Sequence, residues 1–227
     1  MGNPIAFGKL FEEKNTNWLV ADFVREVELI LFTGGRESGR TILALSLVQG
    51  IAARSVFLDC ICARHPVAYF NRYDSRNQLW RLASRVSPKM MMAEESQAAV
   101  YGCWGPDDKM PNIDDESFKE LVEAGRVLVI DTIPDPRETD CPDEFLRSAQ
   151  RLARSGPGLV MFGASSWNNV QAIRNRVHEH FLLTKSGDKI VFEDARGSRR
   201  VNLFLTPKES HIFQMTLKPA SRGTADA

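Results

Sequence analysis

The chain has 227 residues, a length at which one parallel-sheet domain can close a substantial core, and we treat residues 1–227 as one domain. Its 29 Lys and Arg balance 29 Asp and Glu, so the formal net charge is zero. This balance argues against a protein whose main role is to bind nucleic-acid backbones non-specifically, although a local basic patch could still bind DNA. No charged leader precedes an apolar run and no apolar run approaches membrane-spanning length, which predicts a cytoplasmic protein without a membrane span.

The four cysteines, Cys60, Cys62, Cys103 and Cys141, are too few and too scattered for a disulfide framework, and their spacing matches no structural zinc site. Cys60 and Cys62 alternate with apolar residues, as small buried side chains do. We therefore interpret all four cysteines as reduced thiols.

The first predicted strand covers residues 28–33, an apolar run that ends in Gly34 and Gly35. A helical pattern begins near Thr41, and its apolar positions surround the helix so that little of it would be exposed. A strand, a glycine turn and a buried helix in this order begin a βαβ fold.

Two apolar segments follow this helix, at 55–62 and 66–71, and the second is predicted to be the more central strand. Asp74 and Ser75 predict the start of a helix that runs to about residue 86. Residues 87–115 show no regular pattern, and we interpret them as a long connection or an insertion with a short helix.

The remaining pattern alternates helices and strands. A helix over 114–124 leads to an apolar strand over 126–132, and a helix over 143–154 precedes a strand over 159–163. A helix near 170–179 would carry His178 and His180, and three alternating segments at 190–193, 201–205 and 211–215 predict antiparallel edge strands. We therefore predict an α/β fold with a mostly parallel, doubly wound sheet, helices on both faces, a core over about 18–185 and a C-terminal β extension over about 186–217.

The segment from Gly34 to Thr41 reads G-G-R-E-S-G-R-T and matches the phosphate-binding pattern G-x-x-x-x-G-K-[ST], except that Arg40 takes the lysine position. Backbone N–H groups of such a loop cradle phosphates, and the following helix points its positive end at the anion.

Thr41 supplies the hydroxyl that normally holds magnesium, and Asp131 fits the water-mediated magnesium contact of a Walker B strand. An ordinary glycine turn and a turn-forming aspartate are the alternative interpretation. The candidate ligands of ATP or ADP with Mg²⁺ are Gly34, Gly35, Arg36, Glu37, Ser38, Gly39, Arg40, Thr41 and Asp131, with Thr41 and Asp131 at the metal.

Four segments in this order, 18–20, 32–41, 67–75 and 127–132, resemble the RecA-like P-loop ATPases of the plasmid RepA-type hexameric helicase family. In that family the second strand typically reads V-L-Y-x-x-x-E-D-S and the third reads L-V-V-I-D-T. The similarity covers most of residues 18–185, and its specificity comes from the order of the motifs rather than from any one of them. The resemblance implies a RecA-like fold with an ATP site at the carboxyl ends of the strands.

The chain departs from this family at functional positions. Tyr73 stands where the family has the glutamate that polarises the attacking water, and a phenol cannot serve as that base near neutral pH. Asp74 matches the neighbouring acidic residue and is the one candidate catalytic residue. Arg40 replaces the phosphate lysine with a wider, planar fork, and Ser165 and Ser166 stand near the usual place of a phosphate-sensing histidine. These changes predict a degenerate Walker A loop and impaired or absent hydrolysis.

The resemblance implies a plasmid-encoded regulator that contacts another protein, for example a RecA-like motor. Fertility inhibition by blocking a conjugative coupling ATPase, or plasmid maintenance, would be such a role. An active ATPase or DNA motor of the RepA-helicase type is the alternative, and a fold relic that binds no nucleotide is a third. A basic face for DNA or for an acidic partner, or an arginine finger within an oligomer, could come from Arg174, Arg176, Arg196, Arg199 and Arg200. Scattered solvated arginines explain these residues about as well.

Overall fold

The computed structural model describes residues 18–21, 23–58, 60–86, 97–105, 108–186, 189–194, 200–207 and 213–219. Two 3₁₀ turns lie at Pro136–Glu138 and Ser165–Asn169. The strands and helices within these ranges are β1 Trp18–Val20, β2 Val24–Arg25, β3 Leu29–Gly34, α1 Arg40–Ala52, β4 Val56–Phe57, β5 Cys60–Ile61, β6 Val67–Asn71, α2 Arg76–Val86, β7 Ala98–Gly102, α3 Glu116–Glu123, β8 Val127–Asp131, α4 Pro142–Arg154, β9 Leu159–Ala164, α5 Ile173–Arg176, β10 Glu179–Ser186, β11 Lys189–Asp194, β12 Arg200–Pro207 and β13 Phe213–Pro219.

Nine strands form one sheet in the order β13-β12-β11-β10-β3-β9-β8-β6-β7. The strands from β10 to β7 run parallel, and β11, β12 and β13 continue the sheet as antiparallel strands. Every residue of β3, β6 and β8 is buried, as expected for central strands that are covered on both faces. The predicted parallel α/β sheet with C-terminal antiparallel strands is confirmed.

Helices cover both faces of the sheet, because alternate strand residues point in opposite directions. Ile30 and Phe32 pack in a core with α1 and α2, on what we call the α1 face. Leu29 and Leu31 pack in a second core with α3, α4 and α5, on the α4 face. The ring of Phe32 stacks on that of Phe162 in β9, with centroids 4.9 Å apart, and this contact joins two central strands on the α1 face.

Two sequence-based predictions are wrong. The helix predicted over 170–179 is reduced to α5. His178 immediately precedes β10, His180 lies in it, and β10 pairs in parallel with β3. The backbone N–H of Leu29 donates to His178 Nδ1 over 2.9 Å, so pairing with a distant strand overrides the local helical pattern. The irregular segment 87–115 contains β7, which pairs with β6, while residues 87–96 and 106–107 lie outside the described residues.

The segment 55–62 forms a small antiparallel pair, β4 with β5, outside the main sheet. Cys62 is buried there, and burial raises the pKa of its thiol to about 12. All four cysteines are free thiols. In the part of the chain that the structure describes, no helix is both long and apolar enough to cross a membrane.

Candidate functional site

The glycine-rich loop makes a tight turn between β3 and α1, at the carboxyl edge of the parallel strands. Gly39 has a φ of 84°, in the left-handed region that favours glycine, and the backbone N–H of Ser38 donates to the Gly35 carbonyl over 3.1 Å. A Cβ at Gly34 would lie 2.7 Å from the carbonyl oxygen of Leu183, so a larger residue does not fit there. The loop thus has the close backbone packing that a phosphate cradle requires.

Buried polar atoms of this loop have no partner in the part of the chain that the structure describes. They are Ser38 Oγ and the Nε and Nη1 atoms of Arg40. No side chain of a described residue caps the amino end of α1 at Gly39, and the first N–H groups of a helix have no intrahelical acceptor. Burying such donors unpaired costs free energy, whereas an anion at the positive end of the helix would accept from them. The residues present therefore fit a phosphate group.

A cavity of about 590 Å³ opens beside the loop, within the range of roughly 300–1,000 Å³ that small-molecule sites occupy. Lys185, at the end of β10, adds an exposed cation to its wall, and the sequence analysis missed this residue because it missed β10. The pattern Lys185-Ser186-Gly187 between two strand-like runs is a hairpin signal that could have found it. The cavity is lined by Gly35, Glu37, Ser38, Leu183, Thr184 and Lys185.

Asp131 is completely buried at the end of β8, and protein donors surround its carboxylate. Tyr69 donates from its hydroxyl to Oδ2 over 2.8 Å, Asn71 donates from Nδ2 to Oδ2 over 3.3 Å, and Thr132 donates from Oγ1 to Oδ1 over 3.1 Å. Burial raises the pKa of Asp131, while hydrogen bonds from Tyr69 and Thr41 oppose that rise. Tyr69 and Asn71, which were not among the predicted site residues, share one side of β6 because strand residues alternate.

Asp74 joins the same cluster. Asn71 Nδ2 donates to Asp74 Oδ2 over 2.9 Å, and Asn71 Oδ1 accepts from the backbone N–H of Asp74 over 2.8 Å. The hydroxyl of Thr41 donates to Asp74 Oδ2 over 3.4 Å. Thr41, Asp74 and Asp131 therefore bring one hydroxyl and two carboxylates together, and oxygen atoms of these kinds are the ligands that Mg²⁺ prefers.

The glycine loop and Asp131 do not lie at the ends of neighbouring strands. They lie at the ends of β3 and β8, and β9 runs between these strands. Helix α1 crosses the gap on the α1 face and packs on β8, so that Thr41 in its first turn reaches the carboxylates. The two motifs meet through the helix rather than through adjacent strands.

The guanidinium of Arg40 lies near these carboxylates without forming an ion pair to any described residue. Burial lowers the pKa of Arg40, and the charges of Asp131, Tyr73 and Asp74 oppose this effect. Tyr73 is 62 % exposed, and the guanidinium of Arg72 lies 5.2 Å from the centroid of its ring. Tyr73 thus projects outward, beside the cluster.

The remaining sequence candidates lie elsewhere. Arg36 and Glu37 are exposed at the tip of the loop. Ser166 lies in the 3₁₀ turn after β9, and its hydroxyl donates to Asp135 Oδ2 in the turn after β8 over 2.8 Å. His180 Nε2 lies 2.8 Å from Thr33 Oγ1, immediately before the loop, and burial lowers the pKa of His180 to about 4 although Asp194 opposes this.

Solved structures share this architecture over nearly the whole chain. FlaH, a flagellar accessory protein from Methanocaldococcus jannaschii, aligns with a TM-score of 0.62 at 11% identity and covers 96% of this chain and 98% of its own. A KaiC-like protein from Pyrococcus horikoshii aligns with a TM-score of 0.62 at 16% identity and covers 88% of this chain and 94% of its own. The chain has a RecA-like P-loop fold.

No protein-family model and no curated protein sequence matches this RecA-like chain. The RecA-like fold predicted from the motifs is confirmed, while membership of the RepA-type helicase family stays a prediction.

Proposed function

We propose that this RecA-like protein binds ATP or ADP with Mg²⁺ at residues 34–41, hydrolyses the nucleotide slowly or not at all, and regulates another protein by contact. The observation that carries the proposal is the set of buried, unpaired polar atoms of Ser38 and Arg40 at the amino end of α1, next to Asp131. Phosphate oxygens would supply the acceptors that these donors lack.

Each residue of the site has a distinct role in holding the nucleotide. The backbone N–H groups of the loop and the forked guanidinium of Arg40 bind phosphate oxygens. Thr41 and Asp131 hold the metal, directly or through water, and Tyr69 and Asn71 orient the carboxylate of Asp131. Bound Mg²⁺ would supply positive charge there that neutralises part of the phosphate charge.

Two features support weak or absent hydrolysis. Tyr73 carries a phenol where the helicase family has a carboxylate, and phosphoryl transfer depends on positioned charges more than on any other contribution. Asp74, the other acidic group at this edge, already accepts hydrogen bonds from Asn71 and Thr41, so its carboxylate is held in the metal-binding cluster. An active ATPase or DNA motor of the RepA-helicase type would need its base from Asp74 or from a residue elsewhere.

The regulatory role that we propose is that of a plasmid-encoded cytoplasmic protein. Its motifs resemble those of a plasmid helicase family, and its balanced charge favours a protein partner over DNA. A domain of this shape could dock on a RecA-like motor, such as the coupling ATPase of conjugation, and inhibit transfer. A pull-down that retains no motor ATPase would count against this part of the proposal.

Steady-state ATP turnover tests the proposed lack of hydrolysis. We expect the rate with Mg²⁺ to lie far below the usual enzymatic range of about 1–10³ s⁻¹ and to change little in Arg40→Ala. Heat stability should nevertheless rise with added nucleotide, because a ligand that binds only the folded state stabilises it. A rate within the usual range that disappears in Arg40→Ala would show a working ATPase instead.

A further inference from the structure

A second cavity, of about 620 Å³, opens on the α4 face at the carboxyl ends of β6 and β8. Its floor is apolar, since the side chains of Ile113, Phe118 and Ile133 are buried beneath it and Phe145 is half-buried at its side. A groove of this size accommodates several side chains of a ligand, and its floor offers apolar surface to them. We call this groove the acidic cleft, because of the residues at its rim.

Carboxylates predominate among the charged residues that line the acidic cleft. Five acidic residues face two cations, Arg72 and Lys109, which gives a difference of three negative charges. Arg72 lies 3.9 Å from Glu138, and Asp114 lies 3.7 Å from Arg151, so these two carboxylates are partly neutralised. The acidic residues are all exposed, and they are Asp108, Asp114, Glu138, Asp140 and Glu144.

Asp140 and Glu144 are the carboxylates that would attract a partner most strongly. Both are exposed at the rim, and neither forms an ion pair with any residue that the structure describes. Unpaired charges of one sign around an apolar floor attract a molecule of the opposite charge and repel one of the same charge. The phosphates of nucleic acid are therefore disfavoured in the cleft, and a basic segment is favoured.

We propose that the acidic cleft binds a short segment of a partner protein in which basic residues flank an apolar side chain. The apolar side chain packs on the floor near Phe145, and the basic residues lie against Asp140 and Glu144. Such a division, with a buried apolar anchor inside a polar rim, is the usual anatomy of a protein interface. The proposal rests on the role in protein contact suggested above, but it does not require that a nucleotide be bound.

The acidic cleft also adjoins the nucleotide site. Tyr73 and Thr132 line the cleft, and they directly neighbour Asp74 and Asp131 in the chain. Arg72 also lines the cleft, and its backbone N–H donates to the Asp131 carbonyl over 3.1 Å, which links the wall of the cleft to the backbone of Asp131. Any effect of nucleotide on the partner's affinity must be matched by an equal effect of the partner on nucleotide affinity.

Fluorescence anisotropy with a labelled peptide tests the proposal. The probe is a fluorescein-labelled peptide in which lysines flank a central Leu-Phe pair, titrated with the full chain without nucleotide. We expect saturable binding that weakens about 10-fold in the double variant Asp140→Lys and Glu144→Lys, because two attractions become two repulsions. The matched control is Glu120→Lys with Glu123→Lys, which makes the same charge change at exposed positions of α3 outside the cleft.

A second peptide, in which serines replace the Leu-Phe pair, separates the floor from the rim. We expect this peptide to bind at least about 10-fold more weakly, because the apolar anchor is lost. Equal binding of both peptides, an equal loss in the control variant, or no binding at all would overturn the proposal. Displacement of the peptide by a labelled oligothymidylate would also overturn it, since the cleft would then accept nucleic acid.

Failure of this experiment is distinguishable from failure of nucleotide binding. The titration contains no nucleotide, and heat stability with added ATP and Mg²⁺ is measured on the same variants. We expect Asp140→Lys with Glu144→Lys to keep the stabilisation by nucleotide and to lose peptide binding. A peptide that binds while nucleotide has no effect would support the cleft and refute the nucleotide site.

Discussion

The substitution Tyr69→Phe removes one hydroxyl from the buried cluster around Asp131. The side chain of Tyr69 is fully buried, and its hydroxyl donates to Asp131 Oδ2 over 2.8 Å. A hydrogen bond to a charged group contributes about 1.5–3 kcal/mol. Asn71 still donates to the same oxygen in the variant, so we expect a loss near the lower end, about 2 kcal/mol in the free energy of unfolding. For a chain of this length that loss corresponds to a decrease in Tm of roughly 4–8 °C.

The loss of stability in Tyr69→Phe should depend on pH. Burial raises the pKa of Asp131 in the folded state above its pKa in the unfolded chain. As pH rises from the lower of these two pKa values through the higher one, the unfolded chain loses its proton more easily, and the folded state is destabilised. The hydrogen bond from Tyr69 opposes that rise, and without it the destabilisation extends to higher pH. Where Asp131 is protonated in both proteins, at low pH, only a neutral hydrogen bond of about 1 kcal/mol is lost. The difference between the proteins should therefore grow from acidic to neutral pH.

Urea unfolding of both proteins across this pH range measures the difference in the free energy of unfolding. Tyr101→Phe is the matched control, because the ring of Tyr101 stacks on Phe70 at the surface and 38 % of the residue is exposed. We expect the control to change stability by less than about 0.5 kcal/mol at every pH. Equal stability of Tyr69→Phe and the native chain, or a loss that shrinks as pH rises, would refute the proposed hydrogen bond to an ionisable Asp131.

Two further predictions concern the glycine loop and hydrolysis. Gly34→Ala would place a Cβ 2.7 Å from the Leu183 carbonyl oxygen, so we expect urea unfolding to show a loss of about 1–3 kcal/mol in the free energy of unfolding. Gly35→Ala has no described atom within 4 Å of its new Cβ, and we expect it to lose less than about 0.5 kcal/mol. Similar losses in the two variants would contradict the packing at the loop. The double variant Arg40→Lys with Tyr73→Glu should raise ATP turnover at least about 10-fold, because a positioned base contributes about 10²–10⁴. An unchanged rate would mean that these two positions do not limit hydrolysis.

The elements that carry the site were predictable because their signals are local. An apolar run, two glycines and a buried helical pattern define β3 and α1, and an apolar run that ends in Asp131 defines β8. The Thr41 position followed from the spacing of the loop motif. Local pattern was sufficient here because these strands are buried on both faces.

The remaining parts depend on contacts between distant residues. Strand β10 forms because it pairs with β3, and its first residues, including His180, read as the end of a helix in isolation. Among the described strands, β7 pairs with β6 alone, at the edge of the sheet, and its short sequence gives a weak signal. The roles of Tyr69 and Asn71 require that β6 lie beside β8, an adjacency that no local pattern reports.

Calorimetric titration of a non-hydrolysable ATP analogue with Mg²⁺ tests the central claim most directly. We expect one binding site per chain and an affinity that decreases about 10-fold or more in Arg40→Ala, because charged hydrogen bonds to phosphate of about 1.5–3 kcal/mol are lost. Absence of binding heat in the native chain, or an affinity that Arg40→Ala leaves unchanged, would contradict a nucleotide site at residues 34–41.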